Sequence, residues 1–275
     1  MAVLSVDLAL RRWADLGIVA MERGRTPTAP IVCEIIAWDD PGPVSCPVSS
    51  PVQAEILAGR LNHLCGVRNI RVLMLDGPQA WKSGRNGLEH ARLSERQLNT
   101  AAKTGLPGIV KPATYRAFAE FCVDVYDALC RRGWKRLAAH DRPQGAQERI
   151  LVESYPHAAW KALGIKCLPS KRRCGVCDLA ETFAALKAAM PLKVNRPPNH
   201  DQLQAIVGGL AGLALEAGDP VGARLVGSTP RREDGHWREG FIVLPELPWQ
   251  HLMVVGHGHK AEVRRAPSGR VFLQG

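Results

Sequence analysis

The chain has 275 residues, 46% of them hydrophobic and 23% charged, and carries a formal net charge of +10. This composition is typical of a soluble globular protein, and the length allows one large α/β domain or two small ones. No apolar run approaches the roughly 20 residues of a membrane-spanning helix. The N-terminus lacks the basic-then-apolar pattern of a signal peptide, so we expect a cytoplasmic protein. The basic balance favours an anionic partner, nucleic acid above all.

Apolar runs predict three strands near the N-terminus, at residues 2–6, 16–21 and 31–38. Because the connections between them are short, we expect an antiparallel meander. Residues 52–65 then show the apolar spacing of an amphipathic helix. Residues 70–75 form a continuous apolar run, which is typical of a strand buried on both faces of a parallel sheet.

The remainder of the chain alternates helices and strands. Residues 77–112 carry several glycines and prolines without strong periodicity, so we expect a long excursion with a short helix at 88–102. Beyond it, apolar periodicity predicts four helices, three strands and a final hairpin. These are helices at 114–132, 158–163, 179–190 and 200–217, strands at 149–153, 239–244 and 252–255, and a hairpin within 261–273.

Four acidic residues lie where a strand ends or a helix begins. Asp7, Asp76 and Glu153 directly follow apolar strand residues, and Asp201 opens the helix at 200–217. A carboxylate at such a position is poorly placed for packing and well placed to hold Mg²⁺ or Mn²⁺. The order β-β-β-α-β-α-β-α, with acids after the first and fourth strands, is that of the RNase H-like fold, in which those two strands are parallel neighbours.

Convergence of these acids would let two divalent ions, about 4 Å apart, bridge a phosphate. The candidate catalytic residues are therefore Asp7, Asp76, Glu153 and Asp201, and the candidate metal ligands are Asp7, Asp76 and Asp201. Each also has a structural interpretation: Asp7 could cap the first hairpin, Asp76 could form an Asx-turn, and Asp201 could be a first-turn helix acid. The neighbouring His157 and His200 could assist proton transfer or be purely structural.

Basic residues form two groups that could be phosphate contacts or a solvated surface. The first group is Arg131, Arg132, Lys135 and Arg136; the second is Lys161, Lys166, Lys171, Arg172 and Arg173. The second group follows Glu153 in sequence, and that acid could orient it through Lys171 or Arg172 instead of binding metal. We take Lys161, Lys171, Arg172 and Arg173 as the candidate nucleic-acid contacts.

Eight cysteines are scattered without a disulfide pattern. Cys174 and Cys177 form one Cys-x-x-Cys pair, and Cys167 precedes it by seven residues. A structural zinc site needs four ligands, usually supplied as two such pairs. We expect loop cysteines without a metal, with a zinc site as the alternative.

Several short motifs resemble the predicted RNase H-like nuclease family known as domain of unknown function 429. In the family's order, across roughly residues 3–245, they are Val6-Asp7, Leu75-Asp76-Gly77-Pro78, the stretch from His90 to Arg96, Glu153-Ser154-Tyr155-Pro156, Asp201-Gln202-Leu203-Gln204-Ala205 and the stretch from Glu239 to Pro245. The resemblance implies an α/β domain over residues 1–250, with an RNase H-like mixed sheet flanked by helices. The sheet would combine a three-strand antiparallel meander with parallel strands. The excursion at about 77–112 would belong to this domain, and residues 251–275 would form a strand or hairpin tail.

The resemblance also implies a divalent-metal nuclease site. We therefore predict hydrolysis of phosphodiester bonds in DNA or RNA by a two-metal-ion mechanism with Mg²⁺ or Mn²⁺. The family helix usually carries a second acid three residues after the first, on the same helix face, and this chain has Gln204 there. The alternative is a nucleic-acid-binding module with a degenerate site. A phosphotransferase of the actin-like ATPase type is a third possibility, but it would need glycine-rich phosphate loops.

Overall fold

The computed structural model of the protein describes residues 1–9, 12–24, 29–38, 51–138, 148–219 and 221–246. Within these ranges the chain forms eleven strands, six α-helices and two short 3-10 helices. The strands are β1 (Ala2–Asp7), β2 (Gly17–Arg23), β3 (Ile31–Ile35), β4 (Val72–Asp76), β5 (Lys103–Thr104), β6 (Val110–Lys111), β7 (Lys135–Arg136), β8 (Ile150–Ser154), β9 (Leu192–Val194), β10 (Ala223–Glu233) and β11 (His236–Pro245). The helices are α1 (Pro51–Val67), α2 (Leu93–Leu98), α3 (Arg116–Arg131), α4 (Pro156–Ala162), α5 (Val176–Ala189) and α6 (His200–Ala217).

Nine strands form one mixed sheet, and β5 and β6 form a separate two-stranded sheet. The main order is β10, β11, β8, β4, β1, β2, β3, β9, with β7 also paired to β8. Strands β1, β2 and β3 make an antiparallel meander, while β1, β4 and β8 run parallel to one another. This is the RNase H-like arrangement, so the predicted class, an α/β fold with a meander, parallel strands and flanking helices, is confirmed.

Alternate side chains of β1 enter two separate cores. Val3 packs with Leu203 of α6 on one face of the sheet. Leu4 packs with Leu57 of α1 and Phe121 of α3 on the other face. Burial on both faces explains why β1 and β4 are continuous apolar runs. None of the helices in the described ranges is long and apolar enough to span a membrane.

Two glycines allow α6 to lie close to the sheet. A Cβ added at Gly209 would lie 2.8 Å from the Cβ of Ser5, and one added at Gly212 would lie 2.8 Å from the Cγ of Met74. Glycine in a helix interior costs roughly 1 kcal/mol relative to alanine, and this close packing offsets that cost.

Two elements are shorter than the sequence predicts. The third strand, expected at 31–38, ends at Ile35. The helix expected at 88–102 forms only as α2, because Asn99 adopts a left-handed conformation with φ of 49° and ends the helix at Leu98.

The C-terminal part of the sheet departs most from the predicted pattern. The strand expected at 239–244 is the longer β11, and it pairs with β10, which the sequence pattern does not reveal. Exposed polar residues such as Arg231 and Arg232 interrupt the apolar positions of this edge strand, so its alternation is lost. The strand expected at 252–255 and the hairpin within 261–273 lie outside the described residues, and the division into 1–250 and 251–275 stays a prediction.

Candidate active site

An acid pair lies at the carboxyl ends of two neighbouring parallel strands. Asp7 ends β1 and Asp76 ends β4, and the two residues face each other in the register of the pair. Their side chains share a hydrogen bond. The predicted juxtaposition of the first and fourth strand ends therefore occurs, and it sets two carboxyl groups side by side.

The pKa values of the pair reflect its burial and the charges of the neighbouring acids. Burial, followed by the charges of Asp76 and Asp201, raises the pKa of Asp7 well above its usual range. Burial also raises the pKa of Asp76 to about 7, although its hydrogen bond with Asp7 lowers it. Two adjacent carboxyl groups cannot both ionise easily, so the pair retains a proton near neutral pH. A divalent cation would relieve this repulsion.

The start of α6 brings a third acid to the pair. Asn199 caps the helix by accepting a hydrogen bond from the Gln202 backbone N–H at 2.9 Å. Opposite Asp7 in the sheet lies Gly17, and a Cβ added there would lie 2.2 Å from the carbonyl oxygen of Asp201. Only glycine on β2 lets the helix begin this close to the end of β1.

A lysine already neutralises this third acid. The Nζ of Lys171 donates to Asp201 and also to the Oδ1 of Asp15, the latter at 2.9 Å. Partial burial alone would lower the pKa of Lys171, but these hydrogen bonds raise it overall. His200 Nδ1 lies 3.2 Å from the Oδ1 of Asp201, and its Nε2 lies 3.0 Å from the carbonyl oxygen of Pro169. Asp201 as a metal ligand stays a prediction, because a cation must compete with Lys171 for it.

No group of three or more His, Cys, Asp or Glu side chains in the described part of the chain is arranged to hold a metal ion. The donor chemistry of the acid pair nevertheless fits Mg²⁺ or Mn²⁺, since both cations prefer carboxylate oxygens. The side chains of Asp7 and Asp76 are partly accessible. The residues that fit a cation are thus the acid pair. Asp201 could join them only if Lys171 released its carboxylate.

Glu153 lies beside the acid pair but is fully engaged elsewhere. It pairs in register with Leu75 on β4, one residue before the strand end. Its carboxylate accepts two hydrogen bonds from Arg92, at 2.6 and 2.7 Å, and one from the Gln79 backbone N–H at 3.0 Å. The idea that Glu153 orients Lys171 or Arg172 is therefore wrong, since its partner is a buried arginine of the excursion. A catalytic role for Glu153 stays a prediction.

The buried pair extends into a triad that anchors the excursion to the sheet. The Nε of Arg92 donates to the Oε1 of Glu95 at 3.0 Å, and the Oε2 of Glu95 accepts from the Thr104 backbone N–H at 2.8 Å. Both side chains are almost fully buried. The sequence motif contains Arg92 and Glu95, but sequence reasoning assigned them no role. Glu95 follows Arg92 by three residues, the spacing of a helix capping box, and this spacing is the signal that could have found it.

A second buried acid holds the start of the excursion. Glu239 on β11 is fully buried and accepts hydrogen bonds from Ser83 N at 2.8 Å, Asn86 Nδ2 at 2.7 Å and Leu93 N at 2.8 Å. The C-terminal motif of the sequence therefore has a structural role: its acid organises a loop more than 140 residues earlier in the chain.

A cavity of about 440 Å³ lies between the excursion and the sheet edge. Its apolar lining includes Leu8, Ala101, Val110, Tyr115, Phe118, Ala119, Tyr155 and Ile242. Asp76 lines the cavity directly, and the triad of Arg92, Glu95 and Glu153 also contributes to its wall. The cavity thus opens beside the acid pair.

The two basic groups differ in how their charges are matched. In the first group, Arg131 and Arg132 pair with Glu55, Lys135 with Glu148, and Arg136 with Asp127. In the second group, Lys161, Arg172 and Arg173 are exposed, and none of the three forms an ion pair with any residue that the structure describes. The second group, which includes Lys171 at the acids, is therefore the one available to an anionic partner.

Three further sequence candidates have the following surroundings. The Oε1 of Gln204 accepts a hydrogen bond at 2.8 Å from the indole of Trp160, a fully buried residue. The ring of His157 lies against Tyr155, with ring centroids 5.9 Å apart. The cysteines of the 167–177 segment are free thiols. Gln204, which stands where the family usually has a second acid, thus makes a hydrogen bond with the core residue Trp160.

The acid pair predicts an unusual pH dependence of stability for the metal-free protein. The pKa of Asp76 is about 7 in the folded state and about 3.9 in an unfolded chain. Between these values the folded state binds more protons, so its stability falls as pH rises from about 4 to about 7. Asp76→Asn should reduce this decline and stabilise the protein at pH 7 by up to about 4 kcal/mol.

Urea unfolding of the parent and Asp76→Asn at several pH values measures the effect. The difference between the two proteins reports the coupled titration of the acid pair, because Asp76 shares a hydrogen bond with Asp7. A difference that stays constant from pH 4 to pH 8 would contradict the assignment.

The fold and the acid pair together define an RNase H-like α/β protein with a candidate metal site. The chain is similar to the structure of RuvC from Thermus thermophilus, with a TM-score of 0.40 and 10% identity over 79% of this chain and 97% of that chain. It is also similar to T. thermophilus RuvC in complex with Holliday junction substrate, with a TM-score of 0.35 and 10% identity over 78% of this chain and 94% of that chain. No protein-family model matches this chain, and no curated protein matches it. Similarity this weak concerns the path of the chain alone. The chemistry of the site is therefore inferred from the residues of this chain.

Proposed function

We propose that the protein is a divalent-metal-dependent nuclease that hydrolyses phosphodiester bonds of DNA or RNA. The observation that carries this proposal is the acid pair, Asp7 and Asp76, aligned at the ends of β1 and β4 with raised pKa values. Perturbed carboxyl groups of this kind concentrate at functional sites. The motif resemblance to domain of unknown function 429 implies the same activity and stays a prediction, because no family model matches the chain.

Asp7 and Asp76 would hold Mg²⁺ or Mn²⁺ through their carboxylate oxygens. When bound, such a cation activates water and stabilises negative charge on a phosphoryl oxygen. The pair must release its shared proton before it can hold the cation. The two-ion form of the mechanism additionally needs Asp201, and so requires Lys171 to leave that carboxylate.

The basic residues of the second group would position the substrate. Arg172 and Arg173 are exposed beside Lys171, and a guanidinium group binds phosphate oxygens in a bidentate manner. Once Lys171 leaves Asp201, its ammonium group becomes a further phosphate contact. Lys161 lies on the surface of α4 and would contact a more distant phosphate. Glu153 would act as a positioning residue, since it holds Arg92 and the excursion against the sheet.

A second candidate function has its own supporting observation. The ion pair between Lys171 and Asp201 leaves the acid pair without a free third carboxylate. A nucleic-acid-binding module with a degenerate site would have this arrangement. Such a protein would bind nucleic acid with a strong salt dependence and would not cleave it.

One experiment separates the two candidates. Single- and double-stranded DNA and RNA are incubated with the purified protein in Mg²⁺, Mn²⁺ or EDTA, and binding and cleavage are measured separately. The nuclease proposal expects cleavage with either metal and none in EDTA. Binding that weakens steeply with salt, with no cleavage in either metal, would support the binding module. Absence of both would overturn the nucleic-acid assignment.

A further inference from the structure

We propose that the cavity beside Asp76 is a nucleobase site. It would take one base, either of a free nucleotide or of a nucleotide turned out of a strand, with the attached phosphate at the acid pair. This inference rests on the proposed function, because the acid pair supplies the anchor for the phosphate.

The position of the cavity is the first argument. Asp76, Gly77 and Pro78 at the end of β4 form one part of its wall, and Ser154 and Tyr155 at the end of β8 form another. Ligands of open α/β sheets bind outside the carboxyl ends of the strands. The volume of about 440 Å³ falls within the roughly 300–1,000 Å³ of small-molecule sites. Because Asp76 belongs to both features, a ligand here would touch both the cavity and the acid pair.

The chemistry of the wall is the second argument. Phe118 and Tyr155 offer aromatic surfaces, on which any base can stack. The hydroxyl of Tyr155 accepts a hydrogen bond from the Ala101 backbone N–H, and both residues line the cavity. A planar, largely apolar group therefore matches the cavity better than a flexible charged one.

The charged groups of the wall are already satisfied. Both oxygens of Glu95 accept hydrogen bonds from Arg92 or the Thr104 backbone, and both oxygens of Glu153 accept from Arg92. Apart from Asp76, these paired ions leave no free charge on the described wall. The cavity would thus select the base by shape and stacking, with little preference among the four bases.

The rim carries cations that would suit a second phosphate of a strand, beyond the one at the acid pair. Tyr115 lines the cavity and is 45% exposed, so it marks the opening. In sequence, Tyr115 follows Lys111 and directly precedes Arg116, and both cations are exposed. Their present partners, His90 for Lys111 and Glu120 for Arg116, are surface groups that a phosphate can replace at little cost.

Ala101→Trp tests the proposal by filling the cavity from an exposed position. Ala180→Trp, at an exposed position of α5 away from the cavity, is the matched control. Binding is measured in Ca²⁺ with three probes: deoxyadenosine monophosphate, an intact single-stranded oligonucleotide, and the same oligonucleotide with abasic positions. Phe118→Leu is the second variant, because it removes an aromatic surface and leaves the cavity open.

Ala101→Trp should weaken binding of a base-containing probe by about 5- to 150-fold, the contribution of one base–aromatic stack. Phe118→Leu should also weaken binding of a base-containing probe. If the variants bind the intact strand more weakly than the parent does but bind the abasic strand equally well, the ligand is a base turned out of a strand. An effect on the mononucleotide alone identifies a free nucleotide as the ligand.

Two outcomes separate failure of this inference from failure of the proposed function. If strands bind the parent, both variants and the abasic probe equally well, and neither variant weakens mononucleotide binding, the nucleobase site is overturned and the nuclease proposal is untouched. If the mononucleotide binds in a manner sensitive to Ala101→Trp while no strand binds or is cleaved, the base site holds and the nuclease proposal is overturned.

Discussion

Asp7→Asn and Asp76→Asn should each lower metal-dependent cleavage by more than about 100-fold. Loss of a residue that merely supports a metal ligand costs 10- to 100-fold, and loss of the ligand itself should cost more. Each variant should also lose the upward shift in melting temperature that Mg²⁺ or Mn²⁺ produces in the parent, because the cation stabilises only a fold that binds it. Nucleic-acid binding in EDTA should be retained, since the basic group is unchanged.

The control for this experiment is Asp234→Asn. Asp234 is exposed and has a φ of 50°, a conformation that asparagine tolerates well. It should leave cleavage and the metal-induced shift unchanged. If Asp7→Asn and Asp76→Asn both cut as well as the parent, the acid pair is not the catalytic site.

Arg92→Met should lower the free energy of unfolding by about 3–5 kcal/mol, because it leaves two buried carboxylates without their cation. The side chains of Arg92 and Glu153 are only 1% and 4% exposed. Arg68→Met is the matched control: Arg68 donates to Glu34 with the same bidentate geometry, at 2.7 Å for both bonds. Those side chains are 30% and 49% exposed, so the control should cost no more than about 1 kcal/mol.

A third protein separates the buried charge from the shape of the triad. Combining Arg92→Met with Glu95→Gln and Glu153→Gln removes all three charges together. This variant should recover most of the stability that Arg92→Met loses, because no uncompensated ion remains. Urea unfolding of the four proteins at one pH provides the comparison. Equal losses for Arg92→Met and Arg68→Met would contradict the anchoring role of the triad.

Sequence periodicity was sufficient to predict the helices and strands that bury a regular face. The apolar runs of β1 and β4 are continuous because helices cover both faces of the sheet, and α6 spans the predicted 200–217 because its cap and its apolar positions are local signals. Where exposed polar residues break the pattern, as in β10, the strand exists only through its pairing with β11. Local sequence carries no record of such a partner.

The same distinction applies to the acids. Asp7 and Asp76 could be placed side by side from the sequence, because the ends of neighbouring parallel strands share one edge of the sheet. The partners of Glu153 and Asp201 could not be predicted from the sequence. Glu153 meets Arg92, 61 residues away, and Asp201 meets Lys171, 30 residues away.

The sequence by itself therefore determined the RNase H-like order of elements and the acid pair, since both follow from backbone periodicity and strand direction. Only the tertiary structure decided that Glu153 anchors the excursion, that Lys171 neutralises Asp201, and that Gln204 binds the core indole of Trp160. It also placed the cavity against Asp76. A polar side chain can satisfy its hydrogen bonds with any of several partners, and the choice is made by which distant segments the folded chain brings within about 3 Å of it.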